Sequence, residues 1–394
     1  MNITLVKDTI NHGDMDALAE WLKTYPRLTK GPLTLEFEKQ WSQYSNIPHS
    51  TFVNSGSSAV FLALYALMLA DRMKNKKVIV PSLCWATDVA PLIQLGLEPI
   101  FCDSNQQNLN VDIDQLEMLF DRYHPACLLL VHVLGFPNDM ERIMGLCKKY
   151  DVRLIEDCCE AMGSTYCLNQ VGWFGILSCY SLYFGHTMSS IEGGIVCTPD
   201  KELNDILKMI RNHGWARDLD TDTQNKLKIE NDVSDFKSIF TFYLPGLNMR
   251  ATDLQAFLAL RQLERLPDFV SAREKNYWKI RKALDDSFWK PVQVSVDDYD
   301  QLSNFAYPMI HPRHEEITRD LIASGVETRP LIAGAISLQP FVKKYVKSVS
   351  YATWVESVVD KQGFYIPNHP ELTDEEIQFM CSIINTYKGE DING

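Results

Sequence analysis

From about residue 50 to 200 the chain alternates short apolar runs with longer amphipathic stretches. The runs Lys77–Val80, Glu98–Cys102, Cys127–Val133, Arg153–Ile155, Ser178–Tyr183 and Gly194–Thr198 have strand length, and several are β-branched. Segments long enough for a helix, such as Ser57–Leu69 and Met140–Tyr150, separate them. Strands that alternate with helices run parallel, because each crossover returns the chain to the same end of the sheet. The pattern predicts an α/β fold with a mostly parallel sheet, covered on both faces, whose ligands sit at the carboxyl ends of the strands. A further helical stretch, Asp253–Ala283, reads as interrupted near Pro267. Beyond Phe288 a mixed pattern, punctuated by Pro308, Pro312, Pro330, Pro340 and Pro367, predicts a smaller α/β unit. The expected division is a large domain over 1–265 and a small C-terminal domain over 266–394.

Composition narrows the function classes. The 394 residues are 46% hydrophobic and 23% charged, which suits a globular protein. A net charge of -13, with no Lys/Arg-dense stretch to offset it, argues against nucleic acid as a partner. No run approaches the roughly 18 continuous apolar residues of a membrane helix. Met1–Asp14 carries acids and no small-residue cleavage site, so the expectation is a cytoplasmic protein with no membrane partner. The ten cysteines contain no CxxC pair and read as reduced, mostly buried thiols, with no metal expected.

Four constellations carry chemistry. Asn54-Ser55-Gly56-Ser57-Ser58-Ala59 opens an apolar helical run. Free N–H groups, the positive end of the helix dipole and the hydroxyls of Ser57 and Ser58 suit a phosphate, and a serine N-cap with nothing bound is the plainer reading. Leu154-Ile155-Glu156-Asp157-Cys158-Cys159-Glu160 is an apolar strand ending in carboxylates. Asp157 there could pair with a protonated ring nitrogen or a metal, or the acids could simply cap a helix. The loop from Ser181 to Gly194 holds His186 and two adjacent glycines. A histidine so placed is either a general base or a structural residue. Leu244-Pro245-Gly246-Leu247-Asn248-Met249-Arg250 combines a turn, an amide and an arginine that could meet a phosphate.

In this order and spacing the four resemble the DegT/DnrJ/EryC1/StrS family, a sugar-modifying branch of the fold-type I, pyridoxal-phosphate (PLP) aminotransferases. The resemblance runs from Thr29-Lys30-Gly31 to Ile366-Pro367-Asn368-His369. It implies an aspartate aminotransferase-like fold, with Gly56, Ser57, Ser58 and Ser181 on the cofactor phosphate. Trp85 would stack on the pyridine ring, and Asp157 would hold its nitrogen protonated. Asn248 would reach the phosphate from a partner subunit, which implies a homodimer with shared active sites.

Two departures from the family are informative. Six residues before Glu192, where the family normally places the lysine that binds PLP covalently, stands His186, and no lysine lies between Lys149 and Lys201. Glu160 stands where aminotransferases of the family usually carry Gln. Both changes resemble the family's 3-dehydratases, which make 3,6-dideoxysugars. That likeness implies PLP or its pyridoxamine form (PMP) held non-covalently beside Glu160, with His186 as the base. L-glutamate would supply the amino group, the C3 hydroxyl of a nucleotide-linked 4-keto-6-deoxy sugar would leave, and ammonia would be released. A GDP-linked sugar is the expected substrate, although Ala335 follows Gly334 where the GDP-type dehydratase carries Asn. Arg217, Arg250 and Arg329 are expected at the diphosphate, or are surface ion pairs. A sugar aminotransferase that manages with His, and a non-catalytic PLP-binding relative, are the alternatives.

Overall fold

The computed structural model describes residues 1–293, 300–347 and 350–389. Two N-terminal helices, α1 (His12–Leu22) and α2 (Pro32–Ser45), lead into strand β1 (His49–Val53) and helix α3 (Gly56–Leu69). Then β2 (Lys77–Pro81), α4 (Ala86–Gln94), β3 (Glu98–Cys102), α5 (Ile113–Tyr123), β4 (Cys127–Val131), α6 (Met140–Tyr150) and β5 (Arg153–Asp157) alternate as expected. A short hairpin, β6 (Thr165–Tyr166) and β7 (Asn169–Gln170), precedes β8 (Leu177–Ser181) and β9 (Gly194–Thr198). Helices α7 (Lys201–Ile210), α8 (Thr221–Glu230) and α9 (Asp235–Ser238) follow, and then α10 (Asp253–Ala283).

The large sheet has seven strands in the order β1-β9-β8-β5-β4-β2-β3. From β3 to β8 all neighbours pair in parallel, whereas β9 runs antiparallel to both β8 and β1. Each central strand is apolar on both sides because helices cover both faces. Val78 and Val80 of β2 join Leu129, Ile155 and α3 on one face, while Ile79 joins Leu128, Leu130 and α5 on the other. Under β1 and β9, Phe37 and Trp41 of α2 pack on Ala256, Leu263 and Val270 of α10.

The C-terminal part builds a three-stranded antiparallel sheet from β10 (Tyr307–Ile310), β11 (Arg329–Pro330) and β12 (Gly363–Ile366), in the order β10-β12-β11. Helices His314–Ala323 and Asp374–Ile384 flank it, and its apolar side joins the core cluster of β2 and β4.

Two expectations need correction. Pro267 does not interrupt α10, which runs from Asp253 to Ala283 with the proline inside. The ring removes one backbone bond, and burial of Leu263, Leu266 and Val270 on either side holds the helix through it. Strand β4 stops at Val131 rather than Val133, because Leu134 turns into the left-handed region at φ 51°. The Glu160 carboxylate takes the Leu134 N–H at 2.9 Å, and the Asn304 amide donates to its carbonyl, also at 2.9 Å.

Candidate active site

The carboxyl ends of β4, β5 and β8 open into a cavity of about 240 Å³. Trp85, Asp88, Asp157, Glu160, His186 and Arg329 are among its lining residues, and no lysine lines it among the described residues.

One wall approaches the start of α3. Ser55 is the N-cap, its hydroxyl accepting the Ser58 N–H at 3.1 Å. Ser57 meets the Thr87 hydroxyl at 3.0 Å. The helix start sits so close to the end of β8 that a Cβ on Gly56 would lie 2.7 Å from the Ser181 Cβ. A Cβ on Gly194 would lie 2.1 Å from the Ser55 carbonyl oxygen. Glycine at both positions therefore leaves a cradle of N–H and hydroxyl groups of the kind that receives a phosphate.

The floor is carboxylic. Asp157 ends β5 nearly buried, and its Oδ1 accepts the Cys159 N–H at 2.8 Å. Its predecessor Glu156 takes the N–H groups of Gly172 and Gly175 and bonds His132 at 3.0 Å, which pins the strand end. Glu160 is pushed up to about 7 by burial, against the Leu134 N–H, which pulls it down. Asp88, 1% exposed, is a site residue that the sequence reading misses. A signal for it exists, since an acid three residues after Trp85 at a helix start is a capping pattern, and its Oδ2 does accept the Trp85 N–H at 3.2 Å.

His186 sits in the β8–β9 loop, half-buried, with its ring 6.4 Å from Tyr183 and 5.5 Å from Phe305. Burial lowers it to about 4, opposed by Asp157, so the imidazole is neutral at physiological pH. Its Nδ1 is buried without a hydrogen-bond partner among the described residues. Behind the loop lies Arg273 of α10, fully inside the protein. Its guanidinium donates to the carbonyls of Phe305 at 2.9 Å and Asn368 at 2.5 Å, and to that of His186 at 3.5 Å. Trp85, 57% exposed, stands at the mouth with Tyr183 and Phe184.

The structure thus brings Trp85, Asp157, Glu160, His186 and Arg329 to one cavity, with Gly56, Ser57, Ser58 and Ser181 at its edge. Arg329 also pairs with Glu327 at 2.8 Å. Three candidates lie outside the cavity lining. Arg217 donates to the Ile239 carbonyl at 2.9 Å and stacks on Trp215 at 4.0 Å. Arg250 donates to the Asn212 side chain. Asn248 is exposed, on a segment bridged to Asn212.

This sheet, this glycine cradle and a carboxylate at the end of β5 define a protein of the PLP-dependent aminotransferase fold. The chain belongs to the DegT/DnrJ/EryC1/StrS aminotransferase family, whose model matches residues 9–385. It is 30% identical over 393 residues to the GDP-4-keto-6-deoxy-D-mannose 3-dehydratase of Yersinia pseudotuberculosis, covering 98% of each chain. The solved structure of the E. coli GDP-4-keto-6-deoxy-D-mannose-3-dehydratase with bound hydrated PLP superposes with a TM-score of 0.88 at 28% identity, over 97% of this chain and 99% of that one. A GDP-4-keto-6-deoxymannose-3-dehydratase structure with a trapped PLP-glutamate geminal diamine matches equally, at 0.88 and 28% over 97% of this chain and 100% of that one.

Proposed function

We propose that this protein is a PLP-dependent 3-dehydratase. In this reading it removes the C3 hydroxyl of a nucleotide-linked 4-keto-6-deoxy sugar, GDP-4-keto-6-deoxymannose being the first to test. Glutamate supplies the amino group and ammonia leaves. The observation that carries the proposal is His186 lining a cavity that no lysine lines among the described residues, in a chain of a family of aminotransferases.

The residues present fit the cofactor. The N–H groups at the start of α3, with Ser57 and the close approach at Gly56, take the phosphate. Asp157 takes the ring nitrogen, and the exposed ring of Trp85 offers a face for stacking. PLP, when bound, supplies an electron sink and, as PMP, an amine. With no lysine lining the cavity among the described residues, these contacts hold it non-covalently. His186 is the base. Its neutral ring accepts a proton from the cavity side and returns it to the departing hydroxyl. A lysine in that place would itself bond the cofactor and return a proton to carbon, completing amino transfer, whereas an imidazole does not. Glu160, at about 7, exchanges protons near neutrality beside it.

A second copy of the chain completes the site in this reading. Asn248 is exposed and outside its own cavity lining, on a segment that follows exposed Phe236, Phe240 and Phe242. Arg217 and Arg250, also outside that lining, would serve the diphosphate across the contact, with Arg329 from within. Residues 1–265 then carry the cofactor contacts and 266–394 close over them. The reading places the enzyme in the cytoplasm. Among the described residues no helix is long and apolar enough to cross a membrane.

The test mixes the protein with PLP, glutamate and GDP-4-keto-6-deoxymannose, then follows ammonia and the mass of the sugar nucleotide. Loss of one oxygen with free ammonia is expected. A product that keeps nitrogen would make the protein an aminotransferase instead.

A further inference from the structure

Asp88 has a role that none of the residues around it fills. Its Oδ2 is bonded to the Trp85 N–H, but its buried Oδ1 has no hydrogen-bond donor among the described residues. Asp157, whose Oδ1 is already committed to the Cys159 N–H, lines the same cavity, and its carboxyl is the neighbour that acts most strongly on Asp88. Two carboxylate oxygens are both acceptors, so they bond only through a proton held between them.

Among the described residues the surroundings offer no free positive charge to replace that proton. Asp88 is faced by Asp157 and Glu160 from the end of β5, by the thiols of Cys84 ahead of α4 and Cys159 after β5, and by Cys179 of β8. All three thiols are raised by burial and stay neutral. His186 is neutral too, Arg329 pairs with Glu327, and Arg273 is spent on backbone carbonyls. Burial first, and then Asp157 and Glu160, hold Asp88 well above the usual carboxylate range.

We propose that Asp88 is a positioning residue that keeps its proton and donates it to Asp157, fixing the orientation in which Asp157 meets the cofactor's ring nitrogen. This rests on the reading of Asp157 as the partner of that nitrogen. The pair carries one negative charge instead of two, which matches the single positive charge of a protonated ring. The carboxyl also ties the wall that bears Trp85 to the floor that bears Asp157, so the ring's face and its nitrogen are gripped by one connected unit.

The test uses the full-length chain. In Asp88→Asn the amide N–H replaces the acid O–H, and PLP titrated against Trp fluorescence should bind as it does to wild type. Asp88→Ala should bind PLP about tenfold or more weakly, the loss of one hydrogen bond to a charged group. Without cofactor, infrared spectra should show the carbonyl stretch of a neutral carboxylic acid in wild type, reduced in Asp88→Asn to the share that Glu160 contributes. The band should persist in Glu160→Gln, which reads Asp88 without replacing it. The pH dependence has a definite sign. The native state keeps a proton that the unfolded chain loses above about pH 4, so wild type loses stability relative to Asp88→Asn as pH rises, by up to about tenfold in the unfolding constant per pH unit. Parallel stability curves, a missing band, or Asp88→Asn as damaged as Asp88→Ala would overturn the proposal. Wild type that binds PLP but lacks the band overturns the carboxyl pair and leaves the cofactor reading intact. Wild type that shows the band but binds no PLP overturns the cofactor reading and supports the pair alone.

Discussion

Replacing His186 with Asn should change how the stability of the folded chain responds to acid. The folded imidazole titrates at about 4 and the unfolded one near 6.5, a gap of about 2.5 pH units. Because the folded pKa is the lower of the two, the unfolded chain binds the extra proton, and stability falls as pH drops below 6.5. The linkage integral puts the loss at about 1.4 kcal/mol by pH 5.5 and about 3 kcal/mol by pH 4. Asparagine does not titrate, so the His186→Asn variant lacks this component. His369, also lowered to about 4 by burial, and Glu160, raised to about 7, stay in both proteins and cancel in the difference. The assay is urea unfolding of the cofactor-free proteins at pH 4.0, 5.5 and 7.5, reported as the difference in free energy between them. The gap should move by about 3 kcal/mol in favour of the variant on going from neutral to acid. A gap independent of pH would refute the neutral imidazole, and with it the argument that a base stands ready in the cavity.

Three further outcomes are expected. His186→Lys should trap PLP as a borohydride-reducible adduct seen by mass spectrometry, because the amine replaces the imidazole at the edge of the same cavity. Gly56→Ala should lower stability by about 1–3 kcal/mol, since its methyl meets Ser181 at 2.7 Å, and should weaken PLP binding; Gly145→Ala, in open space on α6, should do neither. Glu160→Gln should relieve a pH dependence of opposite sign to that of His186. The native acid at about 7 keeps a proton that the unfolded chain loses near 4.5, so wild type should lose up to about 3 kcal/mol relative to the variant between pH 4.5 and 7, read by thermal or urea unfolding.

The sheet was legible because its central strands are buried on both faces and so read as unbroken apolar runs, Cys127–Val131 being the plainest. Strand β1, His49–Val53, was not. Its Ser50 and Thr51 break up any apolar run, yet both are buried, Ser50 against the Ser42 hydroxyl and Thr51 against Asn204. Pro267 misled for the opposite reason, since a local rule about one missing N–H lost to packing along a 31-residue helix. At the site, residues with distinctive chemistry at strand ends, Asp157 and His186, could be picked out. Asp88 and Arg273 could not, because each looks like an ordinary polar residue of a helix until the fold turns it inward.

Arg273 ties the loop that carries the imidazole to the C-terminal part of the chain. Its guanidinium spans the carbonyls of His186, Phe305 and Asn368, so the loop that carries the imidazole and the C-terminal sheet hang from one buried peg. Arg273, Phe305 and Asn368 all lie within 266–394, so drawing the loop away from them strips one acceptor, the His186 carbonyl, from a buried cation, at about 1–3 kcal/mol. The exposed rings of Trp85, Tyr183 and Phe184 line the same cavity beside that loop. Bulkier or smaller rings at those three positions should therefore change how fast product leaves, read as a change in kcat.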